Sequence, residues 1–270
     1  MITIEQLQAG IVLPIDKPRQ WTSFQAVNKV KAVVRNKYGL KKFKIGHAGT
    51  LDPLATGLLL VCIGKATKTI PELQDGDKIY TGTMVLGATT PCYDLEQAID
   101  QYYPYEHITT ALVDEKRHLF EGEIMQVPPM FSAVKIDGQR AYEIARGEVE
   151  GEKNIEPKKV NIYSFEITAF RKGQNNPTTP ITPTTPASPR QSHLYDNPKG
   201  TVPQELPQID FRIRCGKGTY IRSLARDFGL ALGSGAFLSA LRREQVGKYS
   251  IDNAITIDQI ETSFDSTINK

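Results

Sequence analysis

GHAGTLDPLATGLLLVCIGKATK, residues 46–68, runs from a glycine-punctuated polar segment straight into an apolar one. Gly46, Gly49, Gly57 and Gly64 permit close backbone approach and unusual dihedrals, while Pro53 restrains Asp52 towards an extended conformation. An irregular loop is therefore predicted over 46–53. The run LLLVCI at 58–63 reads as a wholly buried strand or as the start of a buried helix, since periodicity alone does not separate the two. Either element anchors the loop rigidly. A carboxylate so placed, at Asp52, has little freedom to retreat into water and suits a nucleophile or a base. An aspartate that simply makes a turn before proline is the other reading.

Working outward, IVLPI at 11–15 predicts a short buried strand that ends where Pro18 interrupts regular structure. Thr22 or Ser23 then caps a helix in which Phe24, Val27, Val30 and Val34 fall at three- and four-residue spacing, with Gly39 as its stop. Lys29, Lys31, Arg35 and Lys37 lie on or beside its polar side, as on a phosphate-facing helix or on a merely solvated one. KIYTGTMVL at 78–86 alternates as a strand in a covered sheet does, and its Tyr80 is either a packed aromatic or a platform for a nucleobase. TTPCYDLEQAI reads as a turn opening a short helical passage, and 109–120 as a helix.

The excursion at 124–151, with rigid VPPM, a DG turn and the short helix RAYEIARG, could grip a ligand or be a surface insertion. A strand is expected at 157–170. Residues 172–208 are dominated by Pro, Thr and Ser and read as a flexible insert. QIDFRIRC at 208–215 alternates as a strand with one buried face, and TYIRSLARDFG after the GKG turn is an amphipathic helix carrying Arg222 and Arg226. One catalytic domain over 1–250 is the expected organisation. The tail at 251–270 is too short for a further folded domain.

The 270 residues carry 33 Lys/Arg against 30 Asp/Glu, a balance that by itself supports no partner. Its distribution says more. Residues 1–90 hold 12 basic against 6 acidic side chains and 209–250 hold 8 against 3, whereas 91–166 hold 8 against 15. If the two basic segments share a face, that face suits a polyanion. Cys62, Cys92 and Cys215 form no paired zinc motif or disulfide framework, and the four histidines include no HExxH. Neither a signal segment nor a membrane-length apolar run is present, so the chain reads as cytoplasmic with no membrane association.

Taken together, GIVLPIDKPRQWTS at 10–23, GHAGTLDPLATG at 46–57, GKATK at 64–68, KIYTGTMVLGATT at 78–90, the VPPMFSAVKIDGQRAYEIARG stretch at 127–147 and CGKGTYIRSLARDFG at 215–229 closely resemble the bacterial tRNA pseudouridine-55 synthase family. The resemblance implies a mixed α/β (α+β) pseudouridine synthase fold, with a central, largely antiparallel sheet and a cleft across it. It implies that Asp52 is the catalytic carboxylate, that Tyr80 stacks on the target base and that Arg222 pairs with Asp52. His47, Tyr220, Lys17, Lys135 and Leu241 are implied as substrate-binding residues, with Lys17, Lys135 and the excursion forming part of an RNA-gripping surface. The implied substrate is the T-arm of tRNA, whose uridine leaves its stack before reaction. Addition of the aspartate to the base, attack at C1′ and removal of a ribose proton all require a carboxylate, and none requires a metal or organic cofactor. A monomer with no obligate protein partner is expected. The sequence departs from the family at Pro91 and Cys92, which replace polar positions before Asp94, and in the length of the 172–208 insert.

Overall fold

The computed structural model describes residues 1–132, 135–136, 139–140, 155–173 and 199–264. The chain divides into two compact units, Met1–Thr81 with Leu241–Lys270, and Gly82–Ala240.

In the first unit, α1 (Ile4–Ala9) leads into β1 (Ile11–Lys17) and α2 (Ser23–Tyr38). Thr22 and Gln25 close a capping box at the start of α2, and Gly39 ends it in the left-handed conformation at φ 64°. The face that α2 buries is Ala26, Val27, Val30, Val33 and Val34; Phe24, expected on it, is 70% exposed. β2 (Ile45–Ala48) then pairs antiparallel with β3 (Thr56–Ile63), which also pairs antiparallel with β1, with Lys17 opposite Gly57.

The apolar run at 58–63 is thus a strand, covered on both faces. Leu59, Val61 and Ile63 pack in the cluster that contains Val27, Val30 and Val34, while Leu58 and Leu60 pack with Ala48 and Val246 on the other side. Burial of each such side chain contributes about 1.5–3 kcal/mol. A 3₁₀ turn (Gly64–Thr69) and α3 (Ile70–Asp75) connect β3 to β4 (Lys78–Leu86), the last four residues of this pass through the unit being Lys78–Thr81.

β4 runs on into the second unit, followed by β5 (Ala88–Thr89), β6 (Gln101–Tyr102), α4 (Thr110–Arg117) and β7 (Gly122–Gln126). TTPCYDLEQAI is not helical. It is a turn that opens the β5–β6 pair, with Tyr93 at φ 62° and Thr90 Oγ1 donating to the Asp94 carbonyl at 2.7 Å. β8 (Lys135–Ile136) and β9 (Gln139–Arg140) form a two-stranded pair within the expected excursion, of which residues 141–151 lie outside the described ones. β10 (Lys158–Arg171) pairs antiparallel with β7 and with β11 (Gln208–Cys215). The Pro/Thr-rich stretch 174–198 lies outside the described residues.

β11 buries Ile209, Phe211, Ile213 and Cys215 on one face, as its alternation predicts. α5 (Ile221–Ala231) sets Phe228 edge-on against Phe165 and Phe120, at 5.2 and 5.7 Å between ring centroids. β12 (Ala236–Val246) returns the chain to the first unit, pairing parallel with β3 at Arg242–Thr56 and Arg243–Gly57. β13 (Tyr249–Ser250), β14 (Ile255–Thr256) and α6 (Ile260–Ser263) complete that unit, with β14 parallel to β1. The strand order is β14-β1-β3-β12 in the first unit and β12-β4-β11-β10-β7 in the second, a mixed and largely antiparallel sheet flanked by helices. Among the described residues no helix is long and apolar enough to cross a membrane.

Candidate active site

Asp52 sits in the connection between β2 and β3, half-buried, on a loop whose backbone is fastened from three directions. From the first turn of α2, buried Ser23 Oγ donates to the Leu51 carbonyl at 3.1 Å and accepts from the Leu51 N–H at 2.9 Å. From the end of β1, Lys17 Nζ donates to the carbonyls of Trp21 (2.6 Å), Pro18 (3.0 Å) and Pro53 (3.4 Å), and the Gln20 N–H reaches Pro53 O at 2.7 Å. From β12, Arg243 is 2% exposed and donates to Leu58 O at 2.8 Å, Gly49 O at 3.0 Å and Thr50 O at 3.5 Å. Peptide groups on both sides of Asp52 are therefore held by buried side chains, which is the immobility a reacting carboxylate needs.

Gly57 permits this arrangement. It has φ 100°, and a Cβ there would lie 2.3 Å from the Arg243 carbonyl oxygen.

Lys17 was expected on an RNA-gripping surface, and the structure corrects that reading. The side chain is fully buried, and its ammonium is committed to three carbonyls beneath the Asp52 loop. Burial is the main reason its pKa falls to about 8; the Asp52 carboxylate opposes the fall and the Arg243 charge adds to it.

His47, expected in an irregular loop, stands in β2 opposite Val61. Its Nδ1 is buried without a hydrogen-bond partner. Burial, and secondarily Arg243, lower its pKa against the opposing effect of a backbone hydrogen bond at Gly49, so the ring is neutral at pH 7. Leu241 is half-buried and packs against the core cluster of α2 and β3, while its carbonyl accepts from Thr56 Oγ1 at 3.4 Å. Tyr80 is half-buried in β4, next to Thr81, whose hydroxyl donates to Glu244 Oε1 at 2.8 Å.

The remaining expected residues belong to the second unit. Arg222, 4% exposed in the first turn of α5, donates to Phe131 O at 2.9 Å and Cys92 O at 3.3 Å, and its Nε lies 3.8 Å from Asp94 Oδ2. The departure at Cys92 leaves this arrangement intact, because the contact uses a backbone carbonyl. Tyr220 caps α5, with its N–H donating to Gln126 Oε1 at 2.8 Å and its carbonyl accepting from Gln126 Nε2 at 3.1 Å. Lys135 stands in β8. Among the described residues no group of three or more His, Cys, Asp or Glu could hold a metal ion.

Arg243 was not singled out in the sequence, and Ser23 was read only as a possible helix cap, a place that Thr22 takes. No signal in the sequence marks Arg243 for burial; Gly49, where a Cβ would lie 3.4 Å from Arg243 Nη1, leaves room for its guanidinium, and Gly57 admits its backbone.

Residues 35–182 match the sequence family described as TruB family pseudouridylate synthase (N terminal domain), and residues 222–269 match the tRNA pseudouridylate synthase B C-terminal domain. The tRNA pseudouridine synthase B of Flavobacterium johnsoniae is 52% identical over 97% of this chain and 99% of its own. That of Phocaeicola vulgatus is 45% identical over 92% and 91%. Among solved structures, a Cbf5-Nop10-Gar1 complex is similar at TM-score 0.61 and 26% identity, over 97% of this chain and 58% of that one, so this chain spans little more than half of it. The archaeal box H/ACA sRNP Nop10-Cbf5 complex, at TM-score 0.58 and 23% identity, shares the fold. The fastened aspartate loop lies within the stretch that the first of these families covers, and the chain belongs to the TruB family of pseudouridylate synthases.

Proposed function

We propose that this protein converts uridine-55 in the T-loop of tRNA to pseudouridine, with Asp52 as the reacting carboxylate. The observation that carries the reading is the Asp52 loop, fixed by Ser23, Lys17 and Arg243, in a chain that is 52% identical along its length to a tRNA pseudouridine synthase B.

The target uridine leaves its stack, at a cost of about a few kcal/mol, to reach the carboxylate. Tyr80 offers a π-face to the extruded base, and stacking of this kind is worth roughly 1–3 kcal/mol. Arg222 is, in this reading, the arginine that pairs with the reacting carboxylate. The N1–C1′ bond breaks, the uracil turns, and C5 joins C1′. The proton on C5 is released while N1 takes one up, so product and substrate are isomers and no electrons are exchanged. Neutral His47 offers a hydrogen-bonding edge without placing a second cation beside the base. The T-arm is bound chiefly through shape and backbone charge. All of these side chains come from one chain, so a monomer suffices.

Carbodiimide treatment of unmodified tRNA transcript after incubation with the protein, read by reverse transcription, tests the reading. A single stop for the T-loop uridine is expected; stops only elsewhere, or none, would overturn it. Asp52→Asn should bind tRNA as the native protein does and form no pseudouridine. Substantial turnover by that variant would remove Asp52 from the chemistry.

A further inference from the structure

The opposite end of the β2–β3 pair from Asp52 holds a cavity of about 380 Å³. Leu7 and Gln8 of α1, Leu40, Lys42, Phe43 and Lys44 of the connection between α2 and β2, and the chain from Ile63 to Lys68 line it. Its apolar lining is Leu7, Leu40, Phe43 and Ile63, and no acidic residue lines it. Lys42, Lys44, Lys65 and Lys68 are all exposed, and no hydrogen bond or ion pair engages their ammonium groups among the described residues.

Four cations around one concavity repel one another, an arrangement that stabilises nothing in the protein by itself. The combination of an aromatic and aliphatic lining with four exposed lysines around it is the chemistry that recognises a nucleotide, with its base against the apolar side and its phosphates on the lysines. The volume lies in the range of small-molecule sites and accommodates one such unit.

We propose that this cavity is a second RNA-docking site, which holds one unpaired nucleotide of the tRNA outside the target loop. The inference rests on the tRNA reading above and extends it. β3 is eight residues long. At the rise of an extended strand its ends are about 25 Å apart, so a nucleotide held here is remote from the uridine at Asp52. Paired bases hide their faces in the stack, so a site with an apolar side selects an unstacked nucleotide.

The test uses the full-length protein with three of the four exposed lysines replaced, Lys42→Ala, Lys44→Ala and Lys65→Ala together, which removes no buried group. A melting curve confirms that the fold is retained. Two RNAs are compared, full-length tRNA transcript and an isolated T-arm hairpin. For full-length tRNA the variant's Kd should rise about tenfold at physiological salt, and the slope of log Kd against log salt should fall by about two. Pseudouridine formation at saturating RNA should be unchanged, as should the Kd for the hairpin. Phe43→Leu, which keeps an apolar filler, should weaken binding of full-length tRNA alone, about fivefold or more. An unchanged Kd and salt slope for full-length tRNA would overturn the proposal, and so would an equal loss on both RNAs, which would mean general attraction at the T-arm. Inhibition of full-length tRNA binding by a free mononucleotide with no effect of the lysine variants would likewise overturn it. Failure of the native protein to modify either RNA would instead sink the functional reading.

Discussion

Ser23, Lys17 and Arg243 each turn a buried polar side chain towards backbone rather than towards another side chain, and the three together set the height of the Asp52 loop. In Arg243→Lys a compact ammonium replaces a planar fork whose Nε, Nη1 and Nη2 reach three separately placed carbonyls, those of Leu58, Thr50 and Gly49, and a point donor that does not span them leaves hydrogen bonding unmade at about 1–3 kcal/mol. A shift of the loop on the ångström scale costs about a hundredfold in rate. Single-turnover pseudouridine formation at saturating tRNA should fall by about that factor while filter-binding affinity is unchanged. A parallel loss of affinity would mean that Arg243 serves the RNA surface. Lys17 makes a separate prediction through pH. Its pKa is about 8 in the folded protein and is that of an ordinary lysine, 10.5, in the unfolded chain, so between those values the unfolded state holds more protons. Stability contributed at this site therefore rises as pH climbs from about 8 towards 10.5. In Lys17→Met that rise should be absent, which melting temperatures of the two proteins at either end of the window will show.

At the level of elements, α2 was legible because its start and stop residues, Thr22 and Gly39, flank valines at helical spacing. β3 was ambiguous for the opposite reason: a strand covered on both faces shows no alternation, and only its pairing with β1, β2 and β12 resolves it. β2 was read as loop because IGHA contains glycine and is short; its strand geometry is imposed by the neighbouring β3 rather than by propensity. The two elements also differ in how much a single change should cost. Thr22→Ala removes a cap and leaves the helix packed, so about 1 kcal/mol is expected. Gly57→Ala places a methyl group against the Arg243 carbonyl at a positive φ, where no side-chain rotation relieves it. A loss of at least about 3 kcal/mol is expected there, read by denaturant titration. A smaller loss would mean that β3 and β12 can separate at this point.

Across the whole molecule, what the sequence showed of the site was its motif, Asp52 before Pro53 among glycines. The sequence did not show that Lys17 and Arg243 lie beneath it, because lysine and arginine are seldom buried and nothing in their neighbours marks these two as exceptions. That has a consequence for charge. The first unit carries 16 Lys/Arg against 11 Asp/Glu and the second 17 against 19, yet three of the first unit's cations, Lys17, Lys78 and Arg243, are buried, and Lys37 of α2 donates to the Phe264 carbonyl at 2.9 Å. The cations of α2 left for phosphate include Lys31 and Arg35, four residues apart and so on one side of the helix. If α2 faces RNA, Lys31→Glu with Arg35→Glu should weaken tRNA binding and lower its salt slope by about 1.5, a value set by two lost phosphate contacts. The same double reversal at exposed Lys158 and Lys172 of the second unit changes net charge equally, and should leave the slope unaltered. Equal effects of the two pairs would show that affinity follows total charge, and would turn the basic side of α2 into an ordinary solvated face.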